Sequence, residues 1–242
     1  MNYAKILNRG LGLSVLLIFI TINLVPAPSF GYALTATYIF NRLVKNHEHL
    51  RTLEMEGKIS DLSNKTTFRE ITNIDFSTGK IHSLYLNDAG ENLGEKTSKI
   101  LESHPLGMAW FGLGGDSNVA RVQTILGLLG ITTKDDNNVK LTRIQTRPVF
   151  EIGSGAMVRI EKEDFQFAAY QTESKDAIEV ESYSTGAAVK LPKLITFKKA
   201  DSVVYTYELK SFKMNTPYKP PQKPGTFHAL SASLQGWNDL VH

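Results

Sequence analysis

The chain has 242 residues, 42% of them hydrophobic, with 27 basic and 24 acidic side chains and no cysteine. The lack of cysteine excludes a disulfide framework, a thiolate nucleophile, a zinc-thiolate site and the acylated cysteine of a lipoprotein anchor. A nearly balanced charge, with no Lys/Arg stripe interleaved with aromatics, argues against nucleic-acid binding.

Lys5 and Arg9 precede an uncharged apolar run from Leu11 to Val25, which is followed by Pro26, Pro28 and small residues. This is the plan of a secretory signal. The run is shorter than the ~20 residues that a bilayer span usually requires. Cleavage after Ala33, with Gly31 two residues before it, fits the small-x-small preference; cleavage after Gly31, with Ser29 in that role, is the alternative. Residues 1–33 are therefore read as a signal peptide, 34–216 as one domain and 217–242 as a Pro-rich tail. The mature chain keeps 25 basic against 24 acidic residues. In a Gram-negative source, a soluble chain exported by this signal resides in the periplasm.

From Ala36 to Leu50, apolar residues recur at three- and four-residue spacing behind a Thr35 N-cap, which predicts an amphipathic helix. The period then changes to two. Leu53, Met55, Gly57 and Ile59 alternate with polar residues, as in a half-buried strand. Strands are predicted at 68–76 and 80–86, separated by turns at 77–79 and 87–90. Residues 97–101 and 116–129 look helical, the second carrying a stripe of Val119, Val122, Ile125, Leu126 and Leu129. Seven further strands are predicted at 139–146, 148–153, 156–161, 165–172, 176–183, 193–199 and 202–214. In the last of these Val203, Tyr205, Tyr207 and Leu209 share one side. Pro217, Pro220, Pro221 and Pro224 favour an extended, unpaired tail, and beyond Phe227 there is little periodicity. Trp237 in the tail suits docking either on the body or on a partner.

Ten strands joined mostly by short links favour one antiparallel sheet, and accumulated twist must curl or close it. The expected fold is α+β: a strongly curved antiparallel sheet, an incomplete β-barrel, with helices covering the open concave side.

The N-terminal helix running into "LRTLEMEGKI", the Asp88-Ala89-Gly90 turn with Leu93, and "LPKLITF…YTYELKSFKMNTP" with Pro217 and Phe227 give the chain a likeness over about residues 36–227. On these features it resembles the outer-membrane lipoprotein carrier (LolA-like) superfamily. The resemblance implies an incomplete barrel, a lid of helices, and a hydrophobic cavity for acyl chains of lipoproteins or other amphiphiles. It also implies a membrane delivery partner. Ser77 to His82 lacks the arginine and proline that the family places before the strand following its first turn.

"HPLGMAWFGLGGD" offers Met108, Trp110, Phe111 and Leu113 on a glycine-rich backbone, which suits a greasy, adaptable cover. The glycines form no phosphate loop. Candidate ligand contacts are Met108, Trp110 and Phe111 in this segment and Phe197, Val203, Tyr205 and Tyr207 on the last strands; the bland alternative is ordinary core packing. His47 and His49 lie two apart and cannot share a metal from one helix face, so both read as a solvated helix end. Asp135-Asp136 lacks a calcium-loop pattern, and "EKED" at 161–164 reads as a charged turn. Ser154 lacks a nucleophile elbow. The chain is expected to be a monomeric, non-catalytic lipid carrier without metal or cofactor. An envelope sensor or assembly protein that binds a protein partner with the same curved sheet is the alternative, and a lipid or glycan hydrolase a third.

Overall fold

Alternating burial organises the body of the protein. The structure is a computed structural model describing residues 34–98, 104–110, 113–114, 122–123, 126–127, 131, 139–185, 189–218 and 232–241. The signal-peptide assignment, and the 219–231 part of the Pro-rich tail, lie outside the described residues.

Helix α1 (Ala36–Lys45) is followed by β1 (Thr52–Asp61), β2 (Thr66–Asp75), β3 (Lys80–Leu86) and β4 (Asn92–Ser98). A single helical turn, α2 (Gly107–Trp110), leads toward β5 (Val139–Ile144), β6 (Arg147–Gly153), β7 (Met157–Glu161) and β8 (Phe167–Gln171). Then come β9 (Ala177–Tyr183), β10 (Pro192–Lys199), β11 (Ser202–Met214) and α3 (Ala232–Asn238), which ends in a 3₁₀ turn at Asp239–Val241. The strands form one antiparallel sheet in the order β4-β3-β2-β1-β11-β10-β9-β8-β7-β6-β5. Among the described residues β4 and β5 do not pair, so the sheet is a curved half-barrel, open along one seam, as expected for a long twisted sheet. The first and last strands meet in its middle, where β1 pairs with β11. No helix of the described residues is long and apolar enough to cross a membrane.

Helix α1 buries Ala36, Ile39, Phe40, Leu43 and Val44, the stripe that its spacing predicts, and the Thr35 side chain accepts a hydrogen bond from the Tyr38 N–H at 3.2 Å. It ends earlier than expected. The Asn46 N–H caps it onto the Arg42 carbonyl, and its Nδ2 donates to the Asp164 carbonyl at 2.6 Å. The turn that follows carries Leu50 into the core and corrects the expectation for His47, which is buried; His49 is solvent-exposed. The His47 Nδ1 lies 3.0 Å from the Leu43 carbonyl and its Nε2 3.3 Å from the Lys190 carbonyl.

Burial holds the His47 imidazole below its ordinary value, against the raising effect of these carbonyls. Burial likewise lowers His82, opposed by the Glu95 charge. Both rings are therefore neutral in the fold and free to protonate once unfolded. Their contribution to stability is complete above the unfolded value of about 6.5 and is lost as pH falls from there through the depressed folded values. Thermal melts at pH 7.5 and pH 5 are expected to show a lower Tm at the acid pH, and His47→Gln should shrink that difference while retaining a polar side chain.

The predicted strand at 202–214 coincides with β11, and β3 with the predicted 80–86. Strand β4 was not expected: Thr97 and Ser98, read as the start of a helix, pair with His82 and Ile81. Its burial hardly alternates, so partnership with β3 makes it a strand where its own pattern is silent. Of the predicted 116–129 helix, Val122 and Leu126, four apart, are helical and buried; its remaining apolar positions lie outside the described residues.

Candidate functional site: the concave floor

The inner face of the half-barrel is built by period-2 positions on five adjacent strands. Ile81, Ser83 and Tyr85 come from β3, and Phe68, Glu70, Thr72 and Ile74 from β2. Leu53, Met55, Gly57 and Ile59 come from β1, Tyr205, Tyr207 and Leu209 from β11, and Ile195 and Phe197 from β10. The registers put Glu70 opposite Tyr85 on one side and Gly57 on the other, and Ile59 opposite Tyr207.

A bulge decides where the predicted face begins. Phe197 pairs with Tyr205, but Lys198 pairs with Val203, leaving Val204 as the extra residue. Directly opposed residues share a face, so Val203 goes with Lys198 to the convex side, and it is 37% exposed. Strict alternation from Tyr205 assigns Val203 to the concave side; the inserted residue reverses it.

At the centre of this apolar floor lies a polar cluster. The His104 Nδ1 accepts from the Leu106 N–H at 3.1 Å, so the ring's proton sits on Nε2, which donates to Glu70 Oε1 at 2.7 Å. Both side chains are buried, at 2% and 0% exposure. Thr72 and Ser83 are joined through their hydroxyls at 3.0 Å. Among the described residues, three buried polar atoms here make no hydrogen bond of full geometry: Glu70 Oε2, the Tyr207 hydroxyl and Trp237 Nε1. Burial, and then the Glu70 charge, push the Tyr85 and Tyr207 phenols well above their ordinary value. Tyr205 is pushed up to about 12 by burial and then by Asp61.

Among the described residues, two of the segments that lie on the floor are 104–110 and α3. The segment 104–110 is tied to β2 through the His104–Glu70 bond, its helical turn Gly107–Trp110 packs against β8 and β9, and Trp110 stacks on the His104 ring with centroids 4.8 Å apart. The other segment is α3, the end of the tail. Its Trp237 is wholly buried, edge-on to Phe197 at 4.9 Å and Tyr205 at 5.7 Å, and stacked on Tyr207 at 6.4 Å. Tyr205 donates to the Ser233 carbonyl at 3.1 Å, and Thr66 to the Ser233 hydroxyl at 2.8 Å. Tyr85 and Lys96 both donate to Asn238 Oδ1 at 3.3 Å. Of the two places open to Trp237, the structure selects the body.

The candidate residues are thus distributed unevenly. Phe197, Tyr205 and Tyr207 converge on the floor beneath Trp237. Trp110 is buried in the cover beside His104, and Met108 is half-buried against the core. Phe111 lies outside the described residues. Glu70, His104, Tyr85 and Trp237 belong to the site without having been singled out. Glu70 was findable, because it occupies an apolar step of the alternation between Phe68 and Ile74.

Among the described residues, a cavity of about 130 Å³ lies beside α3, bordered by Tyr170, Ala177, Ile178, Phe197, Asp239 and Leu240 among others. That is less than half the ~300 Å³ at which ligand pockets usually begin. A second, more open cleft of about 240 Å³ is lined by Asn46, Asp164, Gln166, Val189 and Lys190, a mostly polar set. Among the described residues no group of three or more His, Asp or Glu is placed to hold a metal ion.

No family model matches the chain, and no curated protein matches it. Among solved structures it is similar to a LolA superfamily protein from Nitrosomonas europaea, with 8% identity, TM-score 0.47, and coverage of 76% of this chain and 95% of that one. It is also similar to a putative outer membrane lipoprotein-sorting protein domain from Vibrio parahaemolyticus: 9% identity, TM-score 0.44, 85% and 98% covered. A DUF1329 family protein from Desulfovibrio piger gives 6% identity, TM-score 0.41, and 76% and 93%.

Proposed function

We propose that this chain is a non-catalytic periplasmic carrier, exported by its N-terminal signal, that shelters acyl chains of a lipoprotein or another lipid on the concave face of its half-barrel. The observation that carries this reading is the aromatic floor of Phe197, Tyr205 and Tyr207, covered by a short separate helix and not by a second layer of sheet. Binding to such a floor takes hydrocarbon out of water. At about 0.8 kcal/mol per buried methylene, a 16-carbon chain offers on the order of 10 kcal/mol before the losses of ordering. The reading also includes a membrane protein that hands over or receives the cargo.

Native mass spectrometry of the protein purified from its own envelope is expected to show co-purified lipid, and the delipidated protein is expected to take up a fluorescent 16-carbon fatty acid. Bare protein together with no uptake would reject the carrier.

One observation favours a second reading, an envelope sensor or assembly module that binds a protein: the chain's own Trp237 and Leu234 are buried, with Trp237 lying over the aromatic floor. Under that reading a folded variant lacking residues 217–242 still takes up no lipid and loses capture of its partner.

A further inference from the structure

The last helix sits where the proposed cargo would sit. Its Trp237 occupies the centre of the aromatic trio Phe197, Tyr205 and Tyr207, and Leu240 and Asp239 border the residual void that Phe197 also lines. We propose that α3 is a built-in competitor, an intramolecular occupant of the acyl site that cargo must displace in order to bind. The inference rests on the carrier reading and specifies how that same site is regulated.

Four observations support displacement over permanent packing. First, α3 has seven residues, too few to be helical alone, so its conformation depends on the floor it covers. Second, the sheet is complete without it, since every ladder pairing runs between strands and none uses residues 232–241. Third, the fit is imperfect. The Tyr207 hydroxyl, buried beneath the indole, has no hydrogen-bond partner among the described residues. Buried polar atoms left unpaired subtract from the hold of the docked state. Fourth, Gly236 brings the helix backbone so near the floor that a Cβ there would lie 2.5 Å from the Tyr205 hydroxyl, so α3 and an acyl chain cannot both lie over Tyr205.

Competition has a quantitative signature. When the binding-competent, undocked form is a fraction f of the population, the apparent dissociation constant rises by 1/f. Weakening the dock therefore tightens binding, whereas a Trp237 that merely walled the pocket would, when removed, weaken it.

The chain contains no cysteine, so one pair can be introduced cleanly where the hydroxyls of Thr66 and Ser233 touch at 2.8 Å. The full-length Thr66→Cys/Ser233→Cys variant is titrated with a fluorescent 16-carbon fatty acid, oxidised and reduced, with bridge formation confirmed by intact mass. Trp237→Ala in the full chain is titrated alongside. The competitor is supported if the oxidised form binds at least about tenfold more weakly than the reduced form and Trp237→Ala binds more tightly than wild type. Equal affinity of the oxidised and reduced forms, or weaker binding by Trp237→Ala, overturns the competitor and leaves the carrier standing. No binding by any form with native circular dichroism overturns the carrier, and the competitor with it.

Discussion

Replacing Glu70 by alanine is expected to lower the unfolding free energy by about 3–5 kcal/mol, among the largest losses available to one substitution in this protein. Glu70 stands at a fully buried position on β2, with His104 as its hydrogen-bond donor and with Phe68 and Thr72 as its neighbours on the same face of the strand. Removing the carboxylate leaves the His104 N–H unpaired in a place water does not reach, and opens a cavity on the floor. It also cuts the tie holding residues 104–110, with Trp110, over the sheet. Chemical denaturation should show the loss directly, and melts should fall by about 6–20 °C at 2–4 °C per kcal/mol. Glu70→Gln keeps an oxygen facing His104 Nε2 and should cost much less. The double variant Glu70→Ala/His104→Ala should fall well short of the sum of its singles, because the second substitution removes the group the first had stranded. Additive losses would mean that the pair does not act as a unit.

Gly57→Ala is expected to cost about 1–3 kcal/mol or more, although it adds a single methyl group to a strand. A Cβ at Gly57 would lie 2.2 Å from Cε2 and Cζ of Tyr207 and 2.3 Å from its hydroxyl oxygen. The clashing atoms belong to a rigid ring that is itself wholly buried and stacked beneath Trp237, so no long flexible side chain is present to swing aside. The added methyl can be accommodated only if Tyr207 moves toward α3. Near-ultraviolet circular dichroism should therefore report a changed Trp237 environment along with the lower denaturation midpoint. Pairing Gly57→Ala with Tyr207→Ala should recover part of the loss, since the second change creates the room the first requires. An unchanged midpoint for Gly57→Ala would show that the ring does not lie across the glycine in solution.

Both predictions turn on residues whose sequence signature is a break in a pattern. The alternation in "LEMEGKI" placed Gly57 on the buried side of β1 but did not show why that step is a glycine; the ring that needs the space comes from β11, some 150 residues later. A strand glycine marks close approach in general terms and does not name the partner. Glu70 is an acid at an apolar step, which signals a buried partner, yet His104 reaches it only because the chain folds residues 104–110 back across the sheet.

Local pattern was sufficient where an element obtains its stability from burying one face. The stripe of α1, the alternation of β1 and β11 and the turn between β10 and β11 are set by side-chain periodicity and by residues that suit tight reversals, so one chain read alone reveals them. Short links between many strands also imposed one curved antiparallel sheet with an open side. Tertiary structure decided the rest. Strand β4 exists through pairing with β3, the β11 bulge sends Val203 outward, and His47 is buried by a turn that ends its helix early. The identity of the group that packs on the aromatic floor was likewise beyond any local reading. The packing of a tryptophan near the C-terminus against rings of β10 and β11 is a long-range contact whose free energy comes from surfaces that meet only once the sheet has curled.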